Sequence, residues 1–243
     1  YHVTRTGPAC QTGGQGRPSA AVGKSQAQDY TERCEESARQ VGEVCELPTW
    51  SIGNVSLDGR LVLAPMVGYG DVPFRRLCRR FGSAFTYVPL VLDDAVIHGR
   101  RSASPADFTP AERPVAIQIV SRDPTRVVAA CDRLMHLQPD IIDLNLGCPS
   151  RNVTGAGRGS ALLRDPGLVE QLIRALVRSF TVPITAKIRL GWDASSRNYL
   201  EIAHILSDSG VSAIAVHGRT RAEAFCGQAD WQAIAEVKRS VGI

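Results

Sequence analysis

Residues 140–150 read DIIDLNLGCPS. The first seven are nearly continuous in hydrophobicity and rich in branched residues, which is typical of a buried strand in a parallel sheet. Gly147 then allows an unusual backbone, and Pro149 prevents the strand from continuing. The stretch therefore predicts a buried strand that delivers Cys148 to a loop at its carboxyl end.

Five similar stretches flank this strand, and amphipathic segments separate them. The other predicted strands are LVLAPM (61–66), SAFTYVPL (83–90), PVAIQIV (114–120), PITAKIRL (183–190) and SAIAVHG (212–218). The predicted helices cover 73–81, 124–137, 166–179, 197–209 and 230–241. This alternation predicts an α/β fold with right-handed crossovers.

Polar residues distinguish the two architectures that share this alternation, the doubly wound sheet and the TIM (β/α)8 barrel. A doubly wound sheet gathers its site at one switch point, whereas a barrel draws site residues from the ends of many strands. Special residues lie in or after five predicted strands: Pro65 with Met66, Gln118, Asn145 with Cys148, Lys187, and His217 with Arg219. A barrel is therefore favoured. At roughly 30 residues per unit, 58–243 holds about six of eight βα units.

The composition of the 243 residues is that of an ordinary globular protein, with 44% hydrophobic and 6% aromatic residues. A formal net charge of +4 permits a polyanionic partner without requiring one. The chain contains no apolar run of about eighteen residues, which is the length that a membrane span needs, and no secretory signal opens it. The seven cysteines lack zinc-ligand or disulfide-framework spacing and indicate a reducing compartment.

Residues 1–57 differ from the rest of the chain in composition and in their lack of alternating apolar and amphipathic segments. Residues 1–28 contain no Asp or Glu and cannot build a core, and 29–45 predict at most a short helix. We therefore expect a largely disordered extension over 1–57 and a partial barrel domain over 58–243. We expect a cytoplasmic protein. The acid-free start is also typical of transit peptides, so a mitochondrion or plastid is the alternative.

Three polar residues at the predicted barrel mouth indicate a bound ligand. Lys187 interrupts an apolar strand, and its ammonium needs either an anionic ligand or an acid from another strand. The Gln118 amide both donates and accepts, which suits a heterocycle. His217 alone is more typical of a hydrogen-bonded core histidine. Together they predict a planar, anionic cofactor such as a flavin.

Cys148 and the loop after it have open interpretations. A positioned thiol can be a nucleophile, a ligand or a general acid, although most cysteines are small buried hydrophobes. The loop 151–166 combines three glycines with Arg151, Arg158 and Arg164, and is either phosphate-seeking or merely flexible. No hydrolase or metal motif is present, so we expect no metal.

Several ordered motifs resemble the tRNA-dihydrouridine synthases, a family of flavin enzymes built on a TIM barrel. They are LAPMVGYGDVPFRRLCRRFG (63–82), PVAIQI (114–119), DIIDLNLGCPS (140–150), GAGRGSALLRDP (155–166), KIRLGWD (187–193) and VHGRTR (216–221). The similarity runs from about Leu61 to Ile243. The GCP, KIR and HGRT elements in this order make it specific.

The resemblance implies FMN-dependent reduction of uridine to 5,6-dihydrouridine in tRNA, with NADPH as reductant. It implies that Cys148 donates a proton to the uracil ring, that Asn145 lies near flavin and base, and that Arg219 helps to hold the RNA. The residues that it assigns to the flavin are Ala64, Pro65, Met66, Gln118, Lys187 and His217. Arg151, Arg158 and Arg221 are further candidates for phosphate contacts.

The chain also departs from the family pattern. It starts at Tyr1, and after Ile243 the family has strands that hold the flavin phosphate, followed by a helical tRNA-binding domain. We expect a C-terminally incomplete copy that is poorly stable and binds FMN weakly. The alternatives are another FMN barrel such as a dihydroorotate dehydrogenase, against which the GCP and HGRTR motifs argue, and a non-catalytic RNA-binding remnant.

Overall fold

The computed structural model describes residues 49–99 and 106–243. Its strands are β1 (Thr49–Ile52), β2 (Val55–Asp58), β3 (Thr86–Leu92), β4 (Val115–Val120), β5 (Ile141–Leu146), β6 (Ile184–Arg189) and β7 (Ala213–His217). Its α-helices are α1 (Val72–Arg80), α2 (Asp93–His98), α3 (Pro124–Leu134), α4 (Arg151–Thr154), α5 (Pro166–Ser179), α6 (Tyr199–Asp208) and α7 (Trp231–Ser240). Short 3-10 helices lie at Pro110–Glu112, Met135–Leu137 and Gly159–Arg164.

The main sheet has five parallel strands in the order β3-β4-β5-β6-β7. Each strand pairs with its predecessor in the chain, so the order never reverses. With right-handed crossovers, such an order puts the connecting helices on one face of the sheet, which is the winding of a TIM barrel. The predicted α/β barrel class is confirmed, and within the described residues β3 and β7 are the edge strands of the sheet.

Apolar burial on both sheet faces holds these layers together. All residues of β4 and β5 are buried, as the continuous apolar runs predict. The helix α5 buries Val169, Leu172, Ile173 and Leu176, which recur every three or four residues along one face. Asp165 accepts from the backbone of Leu168 and starts this helix after β5.

The stretch predicted as the first strand, 61–66, is extended but hardly paired. Leu61 forms a single parallel bridge with Ser83, and the Leu63 amide donates to the Phe85 carbonyl at 3.3 Å. Pro65 has no amide hydrogen to donate to a ladder, which weakens any continuation of the pairing. The described residues therefore contain five regular parallel strands and one marginal one, rather than six.

An antiparallel hairpin, β1-β2, precedes this segment. It occupies the last part of the range 1–57, where irregular structure was expected, and the structure differs from the sequence prediction there. Ile52 and Leu57 of the hairpin are buried with Phe85 and Tyr87 at the amino-terminal end of β3. The predicted leader and the short helix over 29–45 lie outside the described residues, and the boundary at 57 stays a prediction.

Candidate active site

Polar side chains form two rows across the middle of the parallel sheet. Gln118 on β4 is in register with Asp143 on β5, which is in register with Thr185 on β6. Two residues further along, Asn145 is in register with Lys187. Because residues i and i+2 of a strand point to the same face, these five side chains share one face of the sheet.

Hydrogen bonds connect these rows. The Gln118 amide donates to Asp143 Oδ2 at 2.7 Å, and Thr185 Oγ1 donates to Asp143 Oδ1 at 2.6 Å. The Asn145 amide in turn donates to Gln118 Oε1 at 2.7 Å. Asp143 is fully buried, and this burial raises its pKa to about 6, opposed by these two hydrogen bonds and by the Lys187 charge. Both carboxylate oxygens are thus already occupied.

Lys187 has no hydrogen-bond or ion-pair partner among the described residues. Burial lowers its pKa, while Asp143 on the neighbouring strand raises it and Arg189 lowers it. The sequence left two explanations open, a bound ligand or an acid from another strand. Asp143 supplies the charge but not a direct contact, so the ammonium remains free to hold an anionic or electron-rich group.

The loop that carries Cys148 is held from three sides. Asn145 Oδ1 accepts from the backbone amides of Gly147 and Cys148 at 3.1 and 2.9 Å. Arg189 Nε donates to the Gly147 carbonyl at 2.8 Å, and Ser160 Oγ donates to the Cys148 carbonyl at 2.9 Å. The thiol is free and half-buried. This network fixes the backbone from which the thiol projects.

Gly159 makes that close packing possible. Its φ is +61°, and a Cβ there would lie 2.9 Å from the Cys148 carbonyl oxygen and 2.8 Å from Val153 Cγ1. Only glycine fits both the backbone conformation and the space. The glycine-rich loop therefore packs against the cysteine loop.

His217 ends β7 in a strongly cationic environment. Burial, then Arg189, Lys187 and Arg219, lower its pKa to about 4, so the imidazole is neutral at physiological pH. Arg219 Nη1 lies 3.2 Å from His217 Nε2. Because a guanidinium only donates, Nε2 is the acceptor and Nδ1 carries the proton. His217 therefore offers one N–H donor to a ligand.

Asp143 and Arg189 are site residues that the sequence analysis missed. Arg189 is 2% exposed and donates through Nη1 to the carbonyls of Thr220 and Ala224, each at 2.9 Å. It thus joins the loop after β5 to the loop after β7. Asp143 and Arg189 are charged residues in apolar strands, and each lies two positions from a predicted site residue, Asn145 and Lys187 respectively. That spacing was the signal available in the sequence.

Arg158 is paired with two carboxylates at the end of β3. Its Nη2 lies 2.9 Å from Asp93 Oδ1 and also pairs with Asp94. Asp93 is fully buried and accepts from Ser121 Oγ at 2.7 Å as well. These ion pairs pin the glycine-rich loop to the end of β3, and the predicted phosphate contact of this arginine stays a prediction.

The other predicted residues lie at different places around the sheet. Gln118, Asn145, Lys187 and His217 come from four consecutive strands, β4 to β7. Residues 64–66 continue the marginal segment next to β3, at the other edge of the described sheet, where Met66 accepts from the backbone amide of Gly70 at 2.8 Å. The structure thus brings the strand residues together and leaves the flavin contacts of 64–66 as predictions.

Within the described ranges, no helix is long and apolar enough to cross a membrane. Nor do three His, Cys, Asp or Glu side chains cluster there as metal ligands would. The polar groups at the carboxyl ends of the strands are instead amides, a lysine, a neutral histidine and a thiol. Such a set defines the ligand-binding face of a TIM-barrel enzyme domain.

Sequence comparison identifies the family within that class. The model of the dihydrouridine synthase (Dus) family matches residues 62–243, and the chain belongs to this family. The family resemblance noted from the motifs is thereby confirmed.

Curated relatives and one solved structure complete the comparison. The tRNA-dihydrouridine synthase B of Pseudomonas aeruginosa is 42% identical over 193 residues, which cover 79% of this chain and 58% of that protein. The synthase B of Pseudomonas putida is 39% identical, with 79% and 57% covered. The chain therefore spans somewhat less than three fifths of these relatives. The carboxyl transferase domain of Rhizobium etli pyruvate carboxylase aligns at a TM-score of 0.39 and 17% identity, covering 65% of this chain and 26% of that one.

Proposed function

We propose that this protein reduces uridine to 5,6-dihydrouridine in tRNA, with FMN as cofactor and NADPH as reductant. The observation that carries the proposal is the unpartnered Lys187 ammonium beside a neutral His217, with Cys148 on a fixed loop at the same end of the sheet. Family membership supports the reaction class, and the relatives are named tRNA-dihydrouridine synthases.

The free donors of this face fit the ring edge of a flavin. Lys187 offers an ammonium and His217 an Nδ1–H, while Gln118 keeps a second amide hydrogen and a second lone pair beyond its two internal bonds. When bound, the reduced flavin supplies a hydride to carbon 6 of the uracil, and NADPH supplies the electrons for the next turnover. A positive Lys187 favours an anionic ring, since opposite charges attract strongly in a partly buried site.

Cys148 supplies the proton in this proposal. A hydride on carbon 6 leaves carbon 5 to be protonated, and a thiol held at a fixed position serves as the general acid. The bonds from Asn145 to the loop amides and from Ser160 to the Cys148 carbonyl keep that position without using the thiol itself. In this proposal Asn145 therefore has two roles: it lies near the flavin and the base, and it positions the loop that carries Cys148.

The uridine must leave its stack to reach this face, at a cost of a few kcal/mol. Arg219 lies at the mouth, where its Nη2 donates to the Gly227 carbonyl at 2.6 Å while its Nε has no partner. The position of Arg219 after the carboxyl end of β7 and its positive charge support a role in holding RNA. The bacterial relatives support a cytoplasmic protein over the organelle alternative.

The test has two stages. The visible absorption spectrum of the full chain, before and after addition of FMN, reports whether flavin binds. Dihydrouridine formation on an unmodified tRNA transcript is then measured with NADPH for wild type, Cys148→Ala and Cys78→Ala. Cys78 is a half-buried free cysteine on α1 and serves as the matched control.

We expect flavin binding in all three proteins and a loss of about 10² to 10⁴ in rate for Cys148→Ala alone, the usual contribution of a general acid. Flavin binding without any dihydrouridine in the wild type would reject the reaction. A chain that binds tRNA but takes up no flavin would identify the RNA-binding remnant instead.

A further inference from the structure

Two arginines contact one tryptophan at the mouth of the sheet. The guanidinium carbon of Arg221 lies 4.3 Å from the centroid of the Trp192 ring, and that of Arg164 lies 5.1 Å from it. Arg164 ends the 3-10 helix after the cysteine loop, Trp192 follows β6, and Arg221 follows β7. Three separate loops therefore converge on one indole.

The charges of these two arginines are not compensated. Within the described ranges neither side chain has an acidic partner or a hydrogen bond, and Arg221 Nε is buried without an acceptor. Neighbouring Arg197, by contrast, pairs with Asp230 at 2.6 Å. An indole attracts cations through its ring quadrupole but cannot neutralise them. Two like charges held together in this way indicate a site for an anion.

A cavity of about 540 Å³ lies beside this cluster. Its lining includes Arg164, Trp192, Asp193, Ser195, Ser196 and Asn198. The one carboxylate among these six is that of Asp193, whose Oδ1 accepts from the hydroxyls of Ser195 and Ser196 at 2.7 and 2.8 Å; these bonds lower its pKa and keep it ionised. The two guanidinium groups outweigh this single negative charge, so the cluster keeps a net positive charge.

Backbone hydrogen bonds fix this cluster relative to the proposed active site. The Arg221 amide donates to the Gly191 carbonyl and the Ala222 amide to the Trp192 carbonyl, each at 2.9 Å. The same two loops directly follow the strands that carry Lys187 and His217. The cluster therefore lies at the carboxyl end of the sheet, together with Cys148.

We propose that Arg164 and Arg221, held over Trp192, bind a backbone phosphate of the RNA next to the uridine that is reduced. This inference rests on the proposed RNA substrate and adds a subsite to it. Guanidinium groups bind phosphate through paired N–H donors, and the indole orients them without occupying those donors. The cluster fixes the strand while the base leaves its stack.

The experiment measures binding of an unmodified tRNA transcript to the full chain over a series of NaCl concentrations. The variants are Arg164→Ala/Arg221→Ala and the control Arg178→Ala/Arg239→Ala. The control arginines are exposed, lie in the last turns of α5 and α7, and also lack an acidic partner within the described ranges. Because these helices run back across the sheet, their last turns lie at its amino-terminal end.

We expect about tenfold weaker binding for the first double variant, and a slope of log affinity against log salt that is smaller by between about one and two. The control keeps the wild-type slope. Trp192→Phe retains a ring that holds the guanidinium groups, so it binds close to wild type, whereas Trp192→Ala resembles the double variant. Circular dichroism confirms folding of each variant.

An unchanged salt slope in the first double variant would overturn the proposal. NADPH is the other source of phosphate, and a double variant that impairs only flavin reduction by NADPH, with wild-type tRNA binding, would also overturn it. Failure of the proposed reaction gives a different result. In that case the wild type and the variants bind tRNA with the expected salt slopes, but the wild type forms no dihydrouridine. A wild type that binds no tRNA rejects both.

Discussion

The two halves of the polar face differ in how their hydrogen bonds are satisfied. On β4 to β6, Gln118, Asp143 and Thr185 bond to one another and are buried. After β6 and β7, by contrast, His217 is surrounded by cations, and Arg219 and Arg221 keep N–H groups without acceptors. The difference teaches that the first half satisfies most of its hydrogen bonds around Asp143, apart from the Lys187 ammonium, whereas the second half leaves cationic groups without partners.

Asp143→Ala is the change that breaks the satisfied half most severely. It leaves the Gln118 amide and the Thr185 hydroxyl without their acceptor and removes the nearest negative charge from Lys187. We expect a loss of about 3 to 5 kcal/mol in the free energy of unfolding, measured by urea titration. Asp143→Asn keeps an acceptor and is expected to lose less. Equal losses would show that the hydrogen bonds contribute little.

Gly159→Ala and Gly227→Ala compare the two halves at matched backbone conformations. Both glycines have positive φ, +61° and +68°, but a Cβ at Gly227 meets nothing within 4 Å. We expect Gly227→Ala to cost about 1 kcal/mol through backbone strain alone. Gly159→Ala adds overpacking against Cys148 and should cost about 2 to 4 kcal/mol. Urea titrations of both variants check this, and equal costs would contradict tight packing of the cysteine loop.

Arg158→Ala tests how firmly the glycine-rich loop is pinned. It removes one partner of the buried Asp93, which keeps Ser121 and Arg126. We expect about 2 kcal/mol of destabilisation and faster amide hydrogen exchange in residues 155–160. Arg151→Ala, in the same loop and exposed, should change stability by under about 0.5 kcal/mol. Unchanged exchange in Arg158→Ala would refute the pinning.

Asp143 and His217 give the free energy of unfolding opposite pH dependences. Burial raises the pKa of Asp143 from 3.8 to about 6, so the folded state holds the extra proton and stability falls as pH rises from about 4 to 6. Burial and the neighbouring cations lower the pKa of His217 from 6.5 to about 4, so stability rises with pH over nearly the same range. The two contributions therefore oppose each other between about pH 4 and pH 6.

Single variants separate the two contributions. The stability of Asp143→Asn relative to wild type should increase as pH rises from 4.5 to 6.5, and that of His217→Gln should decrease. Urea titrations at the two pH values measure both differences, in which the other titrating groups cancel. The Asp143 difference should be the larger, because that carboxyl is fully buried and the imidazole is not. Parallel curves for either variant would contradict the assigned shift.

The strands and most helices were predictable because their signals are local. Asp165 and the apolar spacing of α5 gave 166–179, and the structure has Pro166–Ser179. The hairpin β1-β2 was missed because 1–57 was taken as one largely disordered extension. Gly53 and Asn54 form its two-residue loop, and Gly-Asn between short apolar runs is a recognised hairpin signal.

Contacts between residues far apart in the sequence limited how much of the candidate site could be predicted. Lys187, Gln118 and His217 stood out as polar residues in apolar strands, which the sequence alone reveals. The pairing of Gln118 with Asp143 depends on the register of β4 and β5, and the pairing of Arg158 with Asp93 joins residues 65 positions apart. Neither the register nor this loop contact is encoded by neighbouring residues, so the Arg158 ion pairs and the role of Asp143 were not predicted.

The hairpin β1-β2 also gives the two ends of the sheet different characters. Its apolar side chains, Ile52 and Leu57, are buried next to Phe85 at the amino-terminal end. Lys187 and Cys148 lie towards the opposite, carboxyl-terminal end. In the proposed reaction the dinucleotide and the RNA would therefore both approach the carboxyl-terminal end, where each would contact the same polar groups in turn.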